Sequence, residues 1–312
     1  ASSACTLWLA SMCRYILSFD GGGVRAIAQV VLLKKIEQEL NINIFNQFDL
    51  FAGTSAGATN ALLIATNSAN SSNLEKFWSQ ENLLTIMTQN LVDKTSFLQL
   101  RPKYSNDGKR KVFQKFFGTK TMGEVLKPVF VTAYDVELRK PILLKSYEQP
   151  ETLIVEAANA TSAAPIYFPT ASMRNNSWLI DGGIAANNPA LLAYVEAKKL
   201  FKGEQIKVFA IGTGLNRRKI DGKRSKDWGA IGWLKNDILG IMVESSLQHE
   251  VLKDLIKLGI IEFKKNEQDT RIKHLFLNDK GKKIFDEIFQ IQKKRIYNAL
   301  LDSKSEEVLN FD

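Results

Sequence analysis

Phe48-Asp49-Leu50-Phe51-Ala52-Gly53-Thr54-Ser55-Ala56-Gly57, running on into Ala58-Thr59-Asn60-Ala61-Leu62-Leu63-Ile64-Ala65-Thr66, is the stretch that decides the fold. An apolar run of strand length meets a G-x-S-x-G turn, and an apolar helix opening follows at once. The small residues let the chain turn sharply, so that the Ser55 oxygen stands clear of the sheet beside a helix N-terminus, which favours negative charge. Ser55 is therefore a candidate nucleophile, with Gly53 and Gly57 supporting the turn. The competing reading is a plain structural turn.

The plan of strand, glycine turn and helix also occurs just upstream. Tyr15 to Asp20 (YILSFD) runs into Gly21-Gly22-Gly23, and Ile27, Val30, Val31, Lys34 and Glu37 then recur at helical spacing. Further apolar runs follow at Pro128 to Asp135, Lys140 to Tyr147, Trp178 to Gly183 and Lys207 to Gly214. Buried strands alternating with helices predict an α/β fold with a mostly parallel central sheet covered on both faces.

Residues 67–118 are polar with an apolar patch at Leu83, Leu84, Ile86 and Met87, which predicts a helical, lid-like insertion. After Glu262 the composition turns to Lys, Asp, Glu and Asn. Ile284, Phe285, Ile288, Phe289, Ile291 and Ile296 are spaced for an amphipathic helix, so a C-terminal helical appendage is expected over 247–312. Residues 14–246 are then the catalytic domain, and residues 1–13, whose apolar run Leu7 to Ala10 is too short for a secretory core, read as a disordered or expression-derived extension.

With 312 residues, 45% hydrophobic and 24% charged, the chain is ordinary globular protein, which excludes collagen-like, mucin-like and wholly disordered classes. It is long enough to need no disulfide staple. The two cysteines, Cys5 and Cys13, make no framework and weakly favour a reducing compartment. Two histidines, His249 and His274, without a C-x-x-C or H-E-x-x-H spacing, leave metal catalysis without a motif. A net charge of +9 favours anionic partners, phospholipid or nucleic acid, without choosing between them. No stretch reaches membrane-span length.

A serine nucleophile needs a base. Ser55, Asp181 and His249 stand in the order expected of a hydrolase triad, yet His249 sits in a charged helical pattern and reads as a solvated helix residue, and His274 as a surface residue. Asp181 ends Trp178-Leu179-Ile180 and opens Asp181-Gly182-Gly183, at the carboxyl edge of a buried strand, where open α/β sheets place their sites. Burial there raises a carboxylate's pKa and makes it a stronger base. A Ser55–Asp181 dyad and a turn-initiating Asp-Gly-Gly are both open readings. Asp20-Gly21-Gly22-Gly23-x-Arg25 points backbone N–H groups at an anion in front of it. That anion is either the oxyanion of an acyl intermediate or, since Gly21-x-Gly23-x-x-Ala26 matches a dinucleotide fingerprint, the pyrophosphate of an oxidoreductase cofactor.

Together, Phe19-Asp20-Gly21-Gly22-Gly23-Val24-Arg25, Gly53-Thr54-Ser55-Ala56-Gly57, Thr161 to Pro169, Asp181-Gly182-Gly183 with Asn187-Asn188-Pro189, and Gly212-Thr213-Gly214 resemble the patatin-like phospholipases over about residues 14–245. The resemblance implies a three-layer α/β/α fold and a lipid acyl hydrolase that works without histidine or calcium. It implies Ser55 as nucleophile, Asp181 as base, Gly21, Gly22 and Gly23 as oxyanion loop, and Arg25 bracing that loop or facing phosphate. Gly182 and Gly183 support the acid, and no cofactor or metal is expected. The expected partner is a phospholipid or other acyl lipid met at a membrane surface, with no nucleic acid; no protein partner or activator can be named. The expected location is cytoplasmic or peripheral to a membrane, with secretion as an effector the alternative. Phospholipase A activity is the first reading, with transacylation on the same dyad, the dinucleotide oxidoreductase and a non-catalytic lipid-binding module behind it.

Overall fold

The computed structural model describes residues 13–89, 102–214, 222–226, 228–229, 232–233, 236, 238, 240–241, 261–265, 273–280, 282–283 and 287. The chain divides into two compact units, Ala1–Leu247 and Gln248–Asp312.

In the first unit, β1 (Cys13–Phe19) leads through a 3-10 turn (Gly23–Ala26) into α1 (Ile27–Leu40) and the short α2 (Ile44–Gln47). Then β2 (Leu50–Gly53) breaks directly into α3 (Ser55–Asn67), followed by α4 (Ser71–Phe77), α5 (Gln80–Ile86) and α6 (Asn106–Phe117). The hairpin β3 (Val129–Asp135) and β4 (Lys140–Lys145) precedes α7 (Ile154–Thr161), β5 (Ala171–Ser172), β6 (Trp178–Asp181), α8 (Gly183–Ala186), α9 (Ala190–Leu200), β7 (Gln205–Ile211) and α10 (Gly222–Ser225).

Among the described residues, seven strands form one mixed sheet. β7, β1, β2 and β3 are parallel neighbours, and β4, β5 and β6 join antiparallel at the β3 end. The alternation of side chains along a strand splits the core in two. Leu17, Phe19, Phe51, Val129 and Val131 face a large cluster that takes in α1, α3, α4, α6 and α7, whereas Ile16, Leu50, Ala52 and Phe130 pack on Ala193 and Ala197 of α9. The result is the expected three-layer α/β/α arrangement. In α3 every residue from Ala56 to Thr66 is buried, as its small and apolar composition on all sides requires.

The register of β3 brings distant parts of the chain together. β4 pairs with β3 from Phe130 to Asp135, so β2, opposite Val129 to Val131, and β6, opposite Ala133 to Asp135, lie along the other side of β3. The end of β2 at Gly53, opposite Val131, and the end of β6 at Asp181, opposite Ala133, therefore fall two residues apart along one strand.

Three expectations change. Cys13, assigned to the extension, belongs to β1, because parallel pairing with β7 continues down to Cys13 opposite Gln205; Leu7 to Ala10 lie outside the described residues. The described part of the 67–118 segment is helical, but α4 and α6 bury Leu74, Phe77, Val112, Phe113 and Phe117 in the main core, so that part is a wall of the core. The C-terminal unit is not purely helical: β8 (Ile261–Lys265) and β9 (Lys273–Leu277) form an antiparallel hairpin in the register Ile261 opposite Leu277. The alternation Ile261-Glu262-Phe263-Lys264 has the two-residue period of a strand, which the charged composition masked. Lys282, Lys283 and Glu287 are helical, and the rest of the proposed amphipathic helix lies outside the described residues. Among the described residues no helix is long and apolar enough to cross a membrane.

Candidate active site

Ser55 is the first residue of α3 and has φ of 55°, in the left-handed region that side-chain-bearing residues avoid. Its N–H is one of the amides that a helix N-terminus leaves without an internal partner. It donates instead to Thr161 Oγ1 at 2.9 Å. The preceding Thr54 is buried, its hydroxyl donating to the Ala186 carbonyl at 2.7 Å and lying 2.8 Å from Thr132 Oγ1. The elbow is closed by glycines of necessity. A Cβ on Gly53 would strike the Ala58 backbone, and one on Gly57 the Asp20 carbonyl.

Asp181 ends β6 and is buried. The Ser55 hydroxyl donates to its Oδ2 at 2.5 Å, and the Gly183 N–H donates to its Oδ1 at 2.8 Å. The Asp181 N–H in turn donates to the Ala163 carbonyl at 3.1 Å. Burial pushes this carboxyl up to about 6, against the opposing pull of the Ser55 hydroxyl, the Gly183 amide and the Lys109 ammonium. The raised value makes it a stronger base than an exposed carboxylate. A Cβ on Gly182 would collide with Thr132, so this turn too admits no side chain.

The glycine turn lies opposite. Gly22, Gly23 and Arg25 line a cavity of about 660 Å³ together with Ser55 and Asp181. The expectation for Gly21 is corrected: its N–H donates to the Asn187 carbonyl at 2.9 Å, so that amide is engaged in fixing the turn and is not offered to a ligand. One guanidinium nitrogen of Arg25 donates to the Gly214 carbonyl at 3.4 Å, tying the glycine turn to the chain beyond β7. Asp20 has an oxygen, Oδ1, buried without a hydrogen-bond partner among the described residues, and burial pushes its carboxyl up to about 7.

The rest of the cavity is largely apolar, with Trp78, Leu83, Ile86, Met87, Phe113 and Phe168 prominent. Its volume lies within the range of small-molecule sites. A polar thread ties this wall to the sheet. Trp78 Nε1 donates to Asn60 Oδ1 at 2.7 Å, Asn60 Nδ2 donates to Gln29 Oε1 at 3.0 Å, and Gln29 Nε2 donates to the carbonyls of Asp20 and Ile211, each at 2.9 Å.

Of the residues singled out in the sequence, Ser55, Asp181, Gly22, Gly23 and Arg25 meet in one cavity, and Gly53, Gly57, Gly182 and Gly183 shape its two turns. His249 lies outside the described residues, and His274 lies in β9 of the C-terminal unit. Sequence reasoning gave no role to Thr161 or Asn187, though it quoted both, and missed Lys109 altogether. Lys109 had a signal: it stands at helical spacing with Val112, Phe113 and Phe117, on the apolar stripe of α6.

Residues 17–194, more than half of the chain, match the family model described as patatin-like phospholipase. Patatin-like protein 1 of Arabidopsis thaliana is 29% identical over 280 residues, 74% of this chain and 67% of that protein. The cGAMP-activated phospholipase of Pseudomonas aeruginosa is 29% identical over 247 residues, 75% of this chain and 73% of that protein. The chain spans about two thirds of the length of the plant relatives it matches. Among solved structures, VipD from Legionella pneumophila aligns with a TM-score of 0.45 at 12% identity, over 73% of this chain and 55% of that one. A serine at a strand-to-helix elbow, an aspartate at the end of β6 within hydrogen-bond reach and a family match that spans both lead to one conclusion: this chain belongs to the patatin-like phospholipases, enzymes of the ester-hydrolase class.

Proposed function

We propose that this chain cleaves fatty-acyl esters of membrane glycerolipids, as a phospholipase A, through a Ser55–Asp181 dyad and an acyl-enzyme intermediate. The observation that carries the reading is the 2.5 Å bond from Ser55 Oγ to a buried Asp181 carboxylate, at the wall of an apolar cavity large enough for part of an acyl chain. Asp181 takes the hydroxyl proton as Ser55 Oγ bonds to the ester carbonyl carbon. The oxyanion faces the amides of Gly22 and Gly23, and loss of one such donor costs on the order of 100- to 1000-fold in turnover. The intermediate collapses with rupture of the bond to the alcohol oxygen, which leaves as lysolipid with the proton from Asp181. Water, deprotonated by the same carboxylate, then attacks the acyl-Ser55 ester, and the fatty acid departs as Ser55 recovers its proton.

Arg25 beside the glycine turn and the net charge of +9 support a substrate presented on an anionic lipid surface. A lipid alcohol in place of water would make the same acyl-enzyme a transacylase. The dinucleotide reading loses support, because the glycine turn shares its cavity with the Ser55–Asp181 pair.

The test is incubation with mixed phospholipids, with mass spectrometry of the released acids, lysolipids and any acylated acceptor. Ser55→Ala is expected to abolish both turnover and labelling by a fluorophosphonate probe, and persistent labelling would refute the nucleophile. Asp181→Asn is expected to remove nearly all turnover in a folded protein. His249→Ala is expected to stay within a few fold of wild type, whereas a loss of roughly a thousandfold or more would restore a triad.

A further inference from the structure

Helix α6 carries a lysine where its amphipathic pattern calls for an apolar residue. Lys109 shares the buried face of α6 with Val112, Phe113 and Phe117, is 2% exposed, and lines the same cavity as Ser55 and Asp181. An ammonium group in such surroundings must be paired and hydrogen-bonded. Its partners are at the C-terminal end of α7. Nζ donates to the carbonyls of Asn159 at 3.3 Å and Ser162 at 3.1 Å, and lies 4.2 Å from the centre of the Phe168 ring. Helix C-termini leave carbonyls without internal partners and favour a cation, so this is where a buried lysine is stabilised.

The stretch so held, 159–163, touches both members of the dyad. Thr161 accepts the Ser55 N–H, and the Ala163 carbonyl accepts the Asp181 N–H. The ammonium also acts through space on Asp181, where it favours the ionised carboxylate. Burial pushes Lys109 down to about 7, against the opposing pull of Asp181, so each charge supports the other.

Other charges near this pair are accounted for among the described residues. The ionisable groups lining the cavity are Arg25, Tyr104, Lys109, Tyr167 and Asp181. Helix α3 carries no ionisable side chain. On α7, Glu156 pairs with Arg174 at 3.2 Å. Glu81 of α5 is exposed, and on α6 Lys115 reaches Asn82 at 3.3 Å while Asp107, Arg110 and Lys111 are exposed. Asp20, which precedes the glycine turn, is not among the residues lining the cavity.

We infer that Lys109 is a positioning residue for the dyad: its ammonium clamps the 159–163 segment that holds Ser55 and Asp181, and supplies the countercharge to the Asp181 carboxylate. The inference rests on the dyad reading above. It makes α6, which carries none of the recognised motifs, part of the machinery that sets the chemistry.

The test is the pH profile of kcat/KM on a short soluble ester, for wild type, Lys109→Met, Lys109→Gln and Lys109→Arg, with folding checked by circular dichroism. Removal of the countercharge makes Asp181 harder to ionise, so the acid limb is expected to move to higher pH, by about one unit in Lys109→Met and Lys109→Gln. Lys109→Arg is expected to keep the wild-type limb. Lys109→Gln retains a donor for the two carbonyls and carries the test should Lys109→Met fold poorly. A merely structural lysine would lower the whole profile without moving its limb, so unshifted limbs in both neutral variants would overturn the inference. Ser55→Ala and Asp181→Asn run in parallel keep the two readings distinguishable. If either retains wild-type turnover the dyad itself fails, whereas inactivity of both with an unshifted Lys109→Gln limb refutes only the role of Lys109.

Discussion

Replacing Thr161 by Val tests whether the strained elbow is held from outside. Thr161 is fully buried at the end of α7, and valine keeps its branched shape, so no cavity of note is opened. What is lost is the acceptor at 2.9 Å from the Ser55 N–H. An amide left without a partner in a dry site costs about 1–3 kcal/mol, and the left-handed backbone of Ser55 stores a comparable amount. Taking about 2 kcal/mol, two outcomes share that quantity. If the elbow relaxes to an unstrained conformer, the productive fraction falls by up to about 30-fold, at 1.36 kcal/mol per factor of ten, with little change in Tm. If packing by Thr54 and the two glycines holds the elbow, the rate survives and the protein loses about 4–8 °C in Tm. The assay is the second-order rate of fluorophosphonate labelling alongside a thermal melt at pH 8. A variant with both the wild-type labelling rate and the wild-type Tm would refute the claim that Thr161 holds Ser55.

The raised pKa of Asp181 makes a second prediction. A base must be ionised to act, so kcat/KM on a soluble ester is expected to fall as pH drops through about 6, with roughly a tenfold loss one unit below. A limb near 4 would mean a solvated carboxylate, and one near 7 that also vanishes in Asp20→Asn would assign the titration to Asp20 instead. For folding, the sign is the opposite of a salt-bridged carboxylate. Asp181 takes up its proton more readily in the native state, so its contribution to stability is fully present below about pH 4 and is lost as pH rises through about 6. Truncation after Leu247, at the boundary between the two units, is expected to spare hydrolysis of a short soluble ester and to weaken binding to anionic vesicles, a binding that falls as salt rises. Equal loss on soluble and vesicle substrates would give the C-terminal unit a structural role.

Much of the site was legible because its parts are local. The elbow at Ser55 is written in ten consecutive residues, since a strand entering a helix through a tight turn needs small residues on both sides of the serine, and the glycine turn after β1 follows the same logic. Six of the seven strands of the sheet, the central helix α3 and the covering of the sheet on both faces were likewise readable from apolar runs and their spacing, whereas the two-residue β5 and the β8–β9 hairpin were not. The sequence alone left Asp181 as either a base or a turn former, because nothing local tells the two apart. The register of β3 supplies the juxtaposition on which the proposed dyad rests: β2 and β6 end two residues apart on the same side of that strand, which brings side chains 126 positions apart within hydrogen-bond distance. The engagement of the Gly21 amide by Asn187 and the burial of Lys109 against the end of α7 are of the same kind. Composition and period report what one segment needs, apolar cover or a tight turn. Which donor meets which acceptor across the fold is determined only when the segments pack, because a buried polar group must find its partner wherever the tertiary structure provides one.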